Sequence, residues 1–567
     1  MSGNGNGAYR SRAWFDTPEL YGWLRRAAFK AEGFGETAYE GRPIIGICNS
    51  WSELTHCNAH LRQVAESVKR GVWQAGGFPL EFPVMSLGEY NMRPTTMLFR
   101  NLMSMDVEES ITANPLDGVV LLGGCDKTTP ALLMGAASSD IPAILVTGGP
   151  QLKGNWRGEE LGSCTDCRRY QTELRAERIT EEDWAELQNC IVRSPGHCMV
   201  MGTASSMAAI GEALGMALPH NAAIPAVDSR RQQLAEASGR QIVQLVADQV
   251  RPSHILTPQA FDNAIRTLHA IGGSTNAIIH LMALAGRVGI DLDLGRFDDL
   301  SRTTPFLLDL KPSGRFLMED FYYAGGLPAL LKTMAPLLSL DALTVTGQSL
   351  GANLDTAQCY NSDLIRSLDA PLHDEGGLAV LHGSLVPGGA LIKQTAASPE
   401  LLTHRGRAVV FEDHDDMEQR IDDPNLDVNP EDVLIMRNAG PLGGPGMPEW
   451  GFLPLPKKLL QQGVRDMVRI SDARMSGTAF GTVVVHATPE SATGGPLAAV
   501  QNGDMIELDV PGRRLDLLVE PQEIARRLAE YSHPAPHYRR GYGWLFAQHV
   551  LQADQGCDFD FLRKVGA

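Results

Sequence analysis

The sequence has no uninterrupted apolar run of about 18 residues, the length that a bilayer-spanning helix requires. Its best candidate, Met199 to Leu218, is broken by Ser205, Ser206 and Glu212. Basic residues are also in short supply: 49 lysines and arginines face 67 aspartates and glutamates, for a formal charge of -18. That balance argues against nucleic acid or an anionic membrane as partner, since both demand a basic surface. A small anionic substrate is compatible with it, provided that locally positive groups or a metal ion hold the anion. Cysteine is thinly spread and odd in number, nine residues at 48, 57, 125, 164, 167, 190, 198, 359 and 557. A disulfide framework is therefore not expected, and reduced thiols, some of them metal ligands, are. The opening stretch "MSGNGNGAYRSR" lacks the apolar segment of a signal peptide and reads as a frayed tail. A cytoplasmic protein is expected.

With 567 residues, 43% of them hydrophobic and 20% charged, the chain has the composition of a globular protein of roughly two to four domains. "TPELYGWLRRAAFKAEGF" predicts a helix, with Thr17 as N-cap, Pro18 at the first helical position, and Leu20, Trp23, Leu24 and Ala27 on one face. "RPIIGICNSW" reads as a buried strand. "HLRQVAESVKRGVWQAGGF" reads as a helix with Leu61, Val64, Val68 and Val72 in step, stopped by Gly76 and Gly77. The helical "TTMLFRNLMSMDVEESITANP", the strand "DGVVLLGG", the small-residue helix "PALLMGAASSD" and the strand "IPAILVTGGP" follow, and strand, helix, strand at this spacing is a parallel βαβ unit. "TPQAFDNAIRTLHAIGGSTNAIIHLMALAGRVG" continues with helical periodicity, broken by Gly272 and Gly273. Beyond about residue 375 the texture changes to short apolar runs between glycines and prolines, ending in a hairpin across Pro511 to Arg513. The expected architecture is an α/β domain with parallel sheet over residues 1–375 and a β-rich domain over 376–567.

"GGCDKTTP" puts Cys125, Asp126 and Lys127 just past the carboxyl end of a parallel strand, where open sheets bind their ligands. Cys57 in "THCNAH" sits in a polar loop after the first strand. Cys198 in "SPGHCMVMGTASSMA" is expected at the start of a small-residue helix whose dipole would stabilise a thiolate. Taken singly, each cysteine reads more readily as a small buried hydrophobe than as a ligand. Cys164 and Cys167 in "GSCTDCRRY" have C-x-x-C spacing, but no second pair or histidines complete a zinc site. Either they are not ligands or they form a redox-labile surface pair. Glu89 and Glu449 join Asp126 as carboxylates in loops. Oxygen donors suit a hard divalent ion and thiolates suit iron, so a site that mixes them would hold two metals. In "ISDARMSGTAFG" the run Ser476, Gly477, Thr478 is either an ordinary turn or an anion-binding or base-presenting one, without the G-x-S-x-G spacing of a hydrolase.

Six ordered motifs, "GGCDKTTPALLMGAAS", "GHCMVMGTASSMA", "GGSTNAIIHLMALA", "VPGGALIK", "GPLGGPGMPE" and "SDARMSGTAFG", together resemble the iron-sulfur dehydratases that include dihydroxyacid, phosphogluconate and pentonate dehydratases. The resemblance covers roughly residues 40 to 530. It implies that Cys57, Cys125 and Cys198 hold an iron-sulfur cluster, 2Fe-2S favoured over 4Fe-4S. It further implies that Glu89, Asp126, Glu449 and a carbamylated Lys127 bind Mg2+, and that Ser476 is the catalytic base with Thr478 beside it. The second domain is then expected to be of swivelling β/α barrel type, with the active site between the domains and a homodimer or homotetramer as the assembly. The substrate is expected to be a sugar acid, a pentonate such as L-arabinonate or D-xylonate, losing its C3 hydroxyl to give a 2-keto-3-deoxy acid. 2,3-Dihydroxy-isovalerate is the alternative within the class. An electron carrier or redox sensor is the alternative outside it, one that leaves the carboxylates and Ser476 idle. His197, where relatives often carry threonine, is a departure that bears on substrate preference.

Overall fold

A computed structural model describes residues 9–564 of the chain. Residues 1–8 of the expected tail lie outside the described residues. Residues 10 and 11 of that stretch are tied down rather than frayed: the Ser11 amide and hydroxyl donate to Asp117 at 2.8 and 2.7 Å, and Arg10 donates to the carbonyls of Asn114 and Leu116. The helix predicted after Pro18 runs from Leu20 to Ala31 with Glu19 as its N-cap. Its predicted inner face is largely exposed, with Trp23 at 59% and Leu20 at 66%. The end that packs carries Phe29 instead, stacked on Phe15 at 4.9 Å and set edge-on to Phe78 at 5.7 Å.

The first sheet has four parallel strands, β1 (Ile44–Asn49), β2 (Phe78–Pro83), β3 (Gly118–Gly123) and β4 (Ala143–Thr147), in the order β2-β1-β3-β4. β1, β3 and β4 are buried at every residue, as expected of parallel strands clothed by helices. The helix Leu61–Gln74 packs on Ser229–Asp248, and Thr96–Ala113 packs on Thr128–Ser139. Leu61, Val64, Val68 and Val72, the predicted stripe, are all at most 2% exposed. The helical stretch interrupted by Gly272 and Gly273 resolves into two helices, Pro258–Ala270 and Asn276–Arg287.

A small hairpin, β5 (Gly154–Trp156) and β6 (Glu159–Leu161), follows. The second sheet has eight strands: β7 (Ala379–Leu381), β8 (Gly389–Ile392), β9 (Thr403–Phe411), β10 (Val433–Met436), β11 (Arg469–Ser471), β12 (Val483–Thr488), β13 (Met505–Asp509) and β14 (Arg514–Leu517). They lie in the order β14-β13-β9-β10-β11-β12-β8-β7. The four central strands are parallel and the flanks antiparallel, including the predicted hairpin from Asp509 to Arg514. Just past β7, His382 bridges to the far edge: its amide donates to Arg513 O at 3.0 Å and its carbonyl accepts from the Leu515 amide at 2.9 Å. These bonds nearly close the sheet into a barrel and protect both edges. The C-terminal segment returns to the first half through Arg287, which holds Asp558 in a fully buried two-pronged ion pair at 2.7 and 3.0 Å. No helix among the described residues is long and apolar enough to cross a membrane.

Candidate active site

Between the two sheets lies a cleft of about 680 Å³, within the usual range for small-molecule sites. Cys57, Cys125, Cys198, Glu89, Asp126, Glu449, Ser476 and Thr478 all line it. Lys127 lies directly beneath, with its side chain fully buried.

The geometry follows from the end of β3. After Gly123 the chain turns through Cys125–Asp126–Lys127 into the helix Thr128–Ser139, and the Thr128 amide closes the turn on Cys125 O at 3.1 Å. Gly124 has no room for a side chain: a Cβ there would sit 3.0 Å from Cys57 O and 3.2 Å from Asn58 Oδ1. Glycine at 124 thus lets the Cys57 loop close on the strand end, so that Cys57 and Cys125 line the same cleft. The neighbouring Cys125 thiol, together with burial, pushes the Cys57 thiol well above its usual range. Cys198 does not start a helix as expected. The helix begins at Thr203, five residues on, and the cysteine lies in the loop before it. A hydrogen bond with Cys164, then burial, raises the Cys198 thiol.

Cys164 and Cys167 are not a surface pair. Cys164 lines the cleft, its sulfur 3.9 Å from that of Cys198 and 2.6 Å from the Tyr90 hydroxyl. Cys167 packs beside Trp156, Leu187 and Ile191, where burial pushes its thiol up to about 12.

Three carboxylates surround the Lys127 amine: Glu89 at 3.2 Å, Asp126 at 3.4 Å and Glu449 at 3.4 Å. Burial and Arg474 work against its charge, but the carboxylates outweigh them and raise its pKa. Burial raises Asp126, and the carboxylates of Glu449 and Glu89 add to that. Burial also opposes ionisation of Glu449, yet Lys127, Arg474 and Arg168 hold it well below the usual range. All three distances exceed the ~2.8 Å of a tight ammonium–carboxylate bond. The cage is therefore wider than an ammonium needs, and its oxygen-only donors match a hard divalent ion. The neighbouring sulfurs match iron.

The second half supplies the other wall. Glu449 starts a single turn after Pro448, and Arg474 fixes it: Nη1 contacts the carboxylate at 3.0 Å, Nη2 donates to Thr95 Oγ1 at 3.0 Å, and Nε donates to Met447 O at 2.8 Å. Ser476 Oγ lies 2.8 Å from Thr478 Oγ1. The loop is pinned by Thr165 donating to Thr478 O at 2.9 Å, Asn276 to Met475 O at 3.2 Å, and Lys393 to Gly477 O at 3.4 Å. A Cβ on Gly477 would lie 2.7 Å from Ser274 Cβ, so only glycine allows this approach. Asn276 also reaches Glu449 at 3.2 Å, and so couples the serine loop to the carboxylate cage. Arg474, Asn276, Tyr90 and Arg168 were missed as site residues by sequence reasoning, although Arg474, Asn276 and Arg168 lie within the motifs named above; for Cys164 the spacing left open either no ligand role or a redox pair. A charged arginine inside the glycine-rich "SDARMSGTAFG" was the available signal. His197 is buried behind Cys198, its Nδ1 3.1 Å from the Cys198 carbonyl, and does not line the cleft.

This arrangement has counterparts. The family profile described as dihydroxy-acid/6-phosphogluconate dehydratase N-terminal matches residues 42–353, and its C-terminal companion matches residues 363–557. The chain belongs to the dihydroxy-acid/6-phosphogluconate dehydratase family. It is a dehydratase, a hydro-lyase. It is 55% identical to an L-arabonate dehydratase of Azospirillum brasilense and 54% identical to an L-arabinonate dehydratase of Rhizobium leguminosarum bv. trifolii. It is 48% identical to a 6-deoxy-6-sulfo-D-gluconate dehydratase of Pseudomonas putida. Each similarity covers 98% of this chain and 96% of the relative.

Proposed function

We propose that the protein dehydrates a sugar acid, a pentonate such as L-arabinonate or D-xylonate, to the 2-keto-3-deoxy acid. The observation that carries this reading is the meeting of four thiols, Cys164 among them, three carboxylates and the Ser476–Thr478 loop on one cleft. The names of the relatives support a sugar acid over the branched 2,3-dihydroxy acid. The family depends in general on an iron-sulfur cluster and Mg2+. In this chain Cys57, Cys125 and Cys198 would hold the cluster, of 2Fe-2S type, and Glu89, Asp126, Glu449 and a carbamylated Lys127 the Mg2+. When bound, the two metals supply Lewis acidity, the hard ion at the carboxylate and C2 oxygen and the iron at the C3 hydroxyl.

The protein's own groups do the rest. Ser476, as the alkoxide, takes the proton from C2, the C2–H electron pair forms the C2–C3 double bond, and the C3–O bond breaks; the departing hydroxide takes that proton back from Ser476, leaving as water and restoring the base. The resulting enol tautomerises to the keto acid. A serine hydroxyl is a weak base unless its anion is stabilised, and Thr478 serves here by donating to Ser476 Oγ from both its hydroxyl at 2.8 Å and its amide at 3.4 Å. Asn276 and Arg474 keep Glu449 ionised and in place. The Lys127 amine reacts with carbon dioxide only after losing the proton that the carboxylates favour, so carbamylation and binding of a divalent ion among those carboxylates would support each other. The protein would act in the cytoplasm as a homodimer or homotetramer, with the α/β domain extending to residue 375.

The test is keto-acid release by anaerobically purified protein across a panel of aldonates and 2,3-dihydroxy acids. Turnover of pentonates is expected. Turnover of 2,3-dihydroxy-isovalerate alone would overturn the substrate assignment, and no keto acid from any of them would overturn the function.

A further inference from the structure

Two arginines line the cleft, Arg93 and Arg168. Arg93 turns back on its own loop and donates to the carbonyls of Tyr90 and Met92. Arg168 is different. It stands on the helix Ser163–Arg175 one turn beyond Cys164, so that both side chains share the face turned to the cleft. Its guanidinium lies over the Phe452 ring, 4.8 Å from the centroid. Among the described residues no carboxylate pairs with it, and its buried Nε has no hydrogen-bond partner. The neighbouring arginines of the same helix are committed: Arg169 to Asp166 at 3.0 Å and Arg175 to Asp422 at 2.6 Å. In a chain with a formal charge of -18, Arg168 acts on Glu449 only through its field, and among the described residues no carboxylate reaches ion-pair distance, so its N–H donors are poised for a group from outside the chain.

We propose that Arg168 determines specificity by receiving the hydroxyl-bearing far end, C4 and C5, of the sugar acid. This rests on the reading of function given above. In that reading C1 and C2 face the carboxylate cage and C3 faces the thiols, so the remaining carbons extend past the thiols. Cys164, 3.9 Å from Cys198, marks that side, and Arg168 is about one helical turn, ~5.4 Å, further along. A guanidinium offers five N–H donors and no acceptor, which suits the lone pairs of vicinal hydroxyls and gives an alkyl tail nothing to bond. Stacking on Phe452 fixes its plane. A site of hydrogen-bond donors discriminates strongly against an analogue that lacks the matching oxygens.

Two unreactive probes isolate this contact, because neither carries a C3 hydroxyl: 3-deoxypentonate, which keeps the C4 and C5 hydroxyls, and 2-hydroxypentanoate, which lacks them. Calorimetric titration of the anaerobic holoenzyme is expected to show 3-deoxypentonate binding at least about tenfold tighter, and R168M is expected to abolish that preference while leaving the iron absorbance unchanged. In turnover, R168M should raise KM for a pentonate with much less change in kcat. R168K, which keeps charge and stem but not the planar fork, should retain only part of the preference, and it serves as the test if R168M does not fold. The proposal is overturned if the wild type binds both probes equally, or if the preference survives in R168M or is undiminished in R168K. A wild type that discriminates between the probes through Arg168 but releases no keto acid would sink the function and leave the contact standing.

Discussion

Lys393 offers a prediction that depends on no metal. It follows β8, is 1% exposed, and its amine reaches only the Gly477 carbonyl at 3.4 Å among the described residues. Burial alone pushes its pKa from 10.5 down to about 7. Between those values the unfolded chain holds a proton that the folded protein has released, so stability climbs as pH rises through that window. Below about pH 7 the folded protein carries the full penalty of a buried ammonium, at most on the order of 5 kcal/mol at about 1.4 kcal/mol per pH unit. Lys393→Met removes the charge and fills nearly the same volume, at a cost of about 1 kcal/mol for the bond to Gly477. The variant should therefore melt above the wild type at pH 6, by several degrees, and lose that lead as the pH approaches 10. Thermal unfolding of both proteins from pH 6 to 10 measures the gap, in which other titrating groups cancel. A gap that is constant with pH, or that widens toward pH 10, would refute the reasoning.

The other predictions concern the cleft and its support. Cys125→Ser should abolish the iron absorbance and activity together, whereas Cys167→Ala should preserve both because that sulfur packs against Trp156 and Leu187; iron loss in the second variant would contradict the placement. Asp126→Ala should remove Mg2+ dependence by removing Mg2+ binding, measured by metal analysis, with cluster absorbance intact. Ser476→Ala should bind both metals and substrate and lower kcat by a factor of about 10³ or more, and near-normal turnover would disqualify it as the base. Arg287→Met should destabilise the protein by about 3–5 kcal/mol, read by denaturant unfolding, because Asp558 would be left charged and fully buried.

Much of the first sheet was legible because its strands are continuous apolar runs and its helices carry a period of 3.6, as Leu61, Val64, Val68 and Val72 show. The helix Leu20–Ala31 shows the limit: periodicity marked an apolar face at Leu20, Trp23 and Leu24 but said nothing of what covers it, and the aromatic cluster around Phe29 decided the packing. The parallel centre of the second sheet was likewise hidden, since short strands separated by irregular chain do not reveal their partners. At the site, the motif residues all reached one cleft. What the sequence concealed was long-range: Asn276 bonds a carboxylate 173 positions away, and Cys164 meets Cys198 only because a helix and a loop converge. Cys198 was expected at a helix start and lies in a loop instead for a local reason, five extra residues before the first helical turn.

Gly202 faces Thr478 and Gly477 faces Ser274, each with space for no more than a hydrogen atom between the two halves of the protein. The distance from the proposed base to a bound substrate is therefore set like the gap of a vernier, by two sliding scales rather than by either one. A methyl group at Gly202 would lie 2.7 Å from the Thr478 methyl and oblige the Ser476–Thr478 loop to give way. Reaction rate in this architecture can then be adjusted, in evolution or by engineering, at a seam between the halves as well as at the reacting groups.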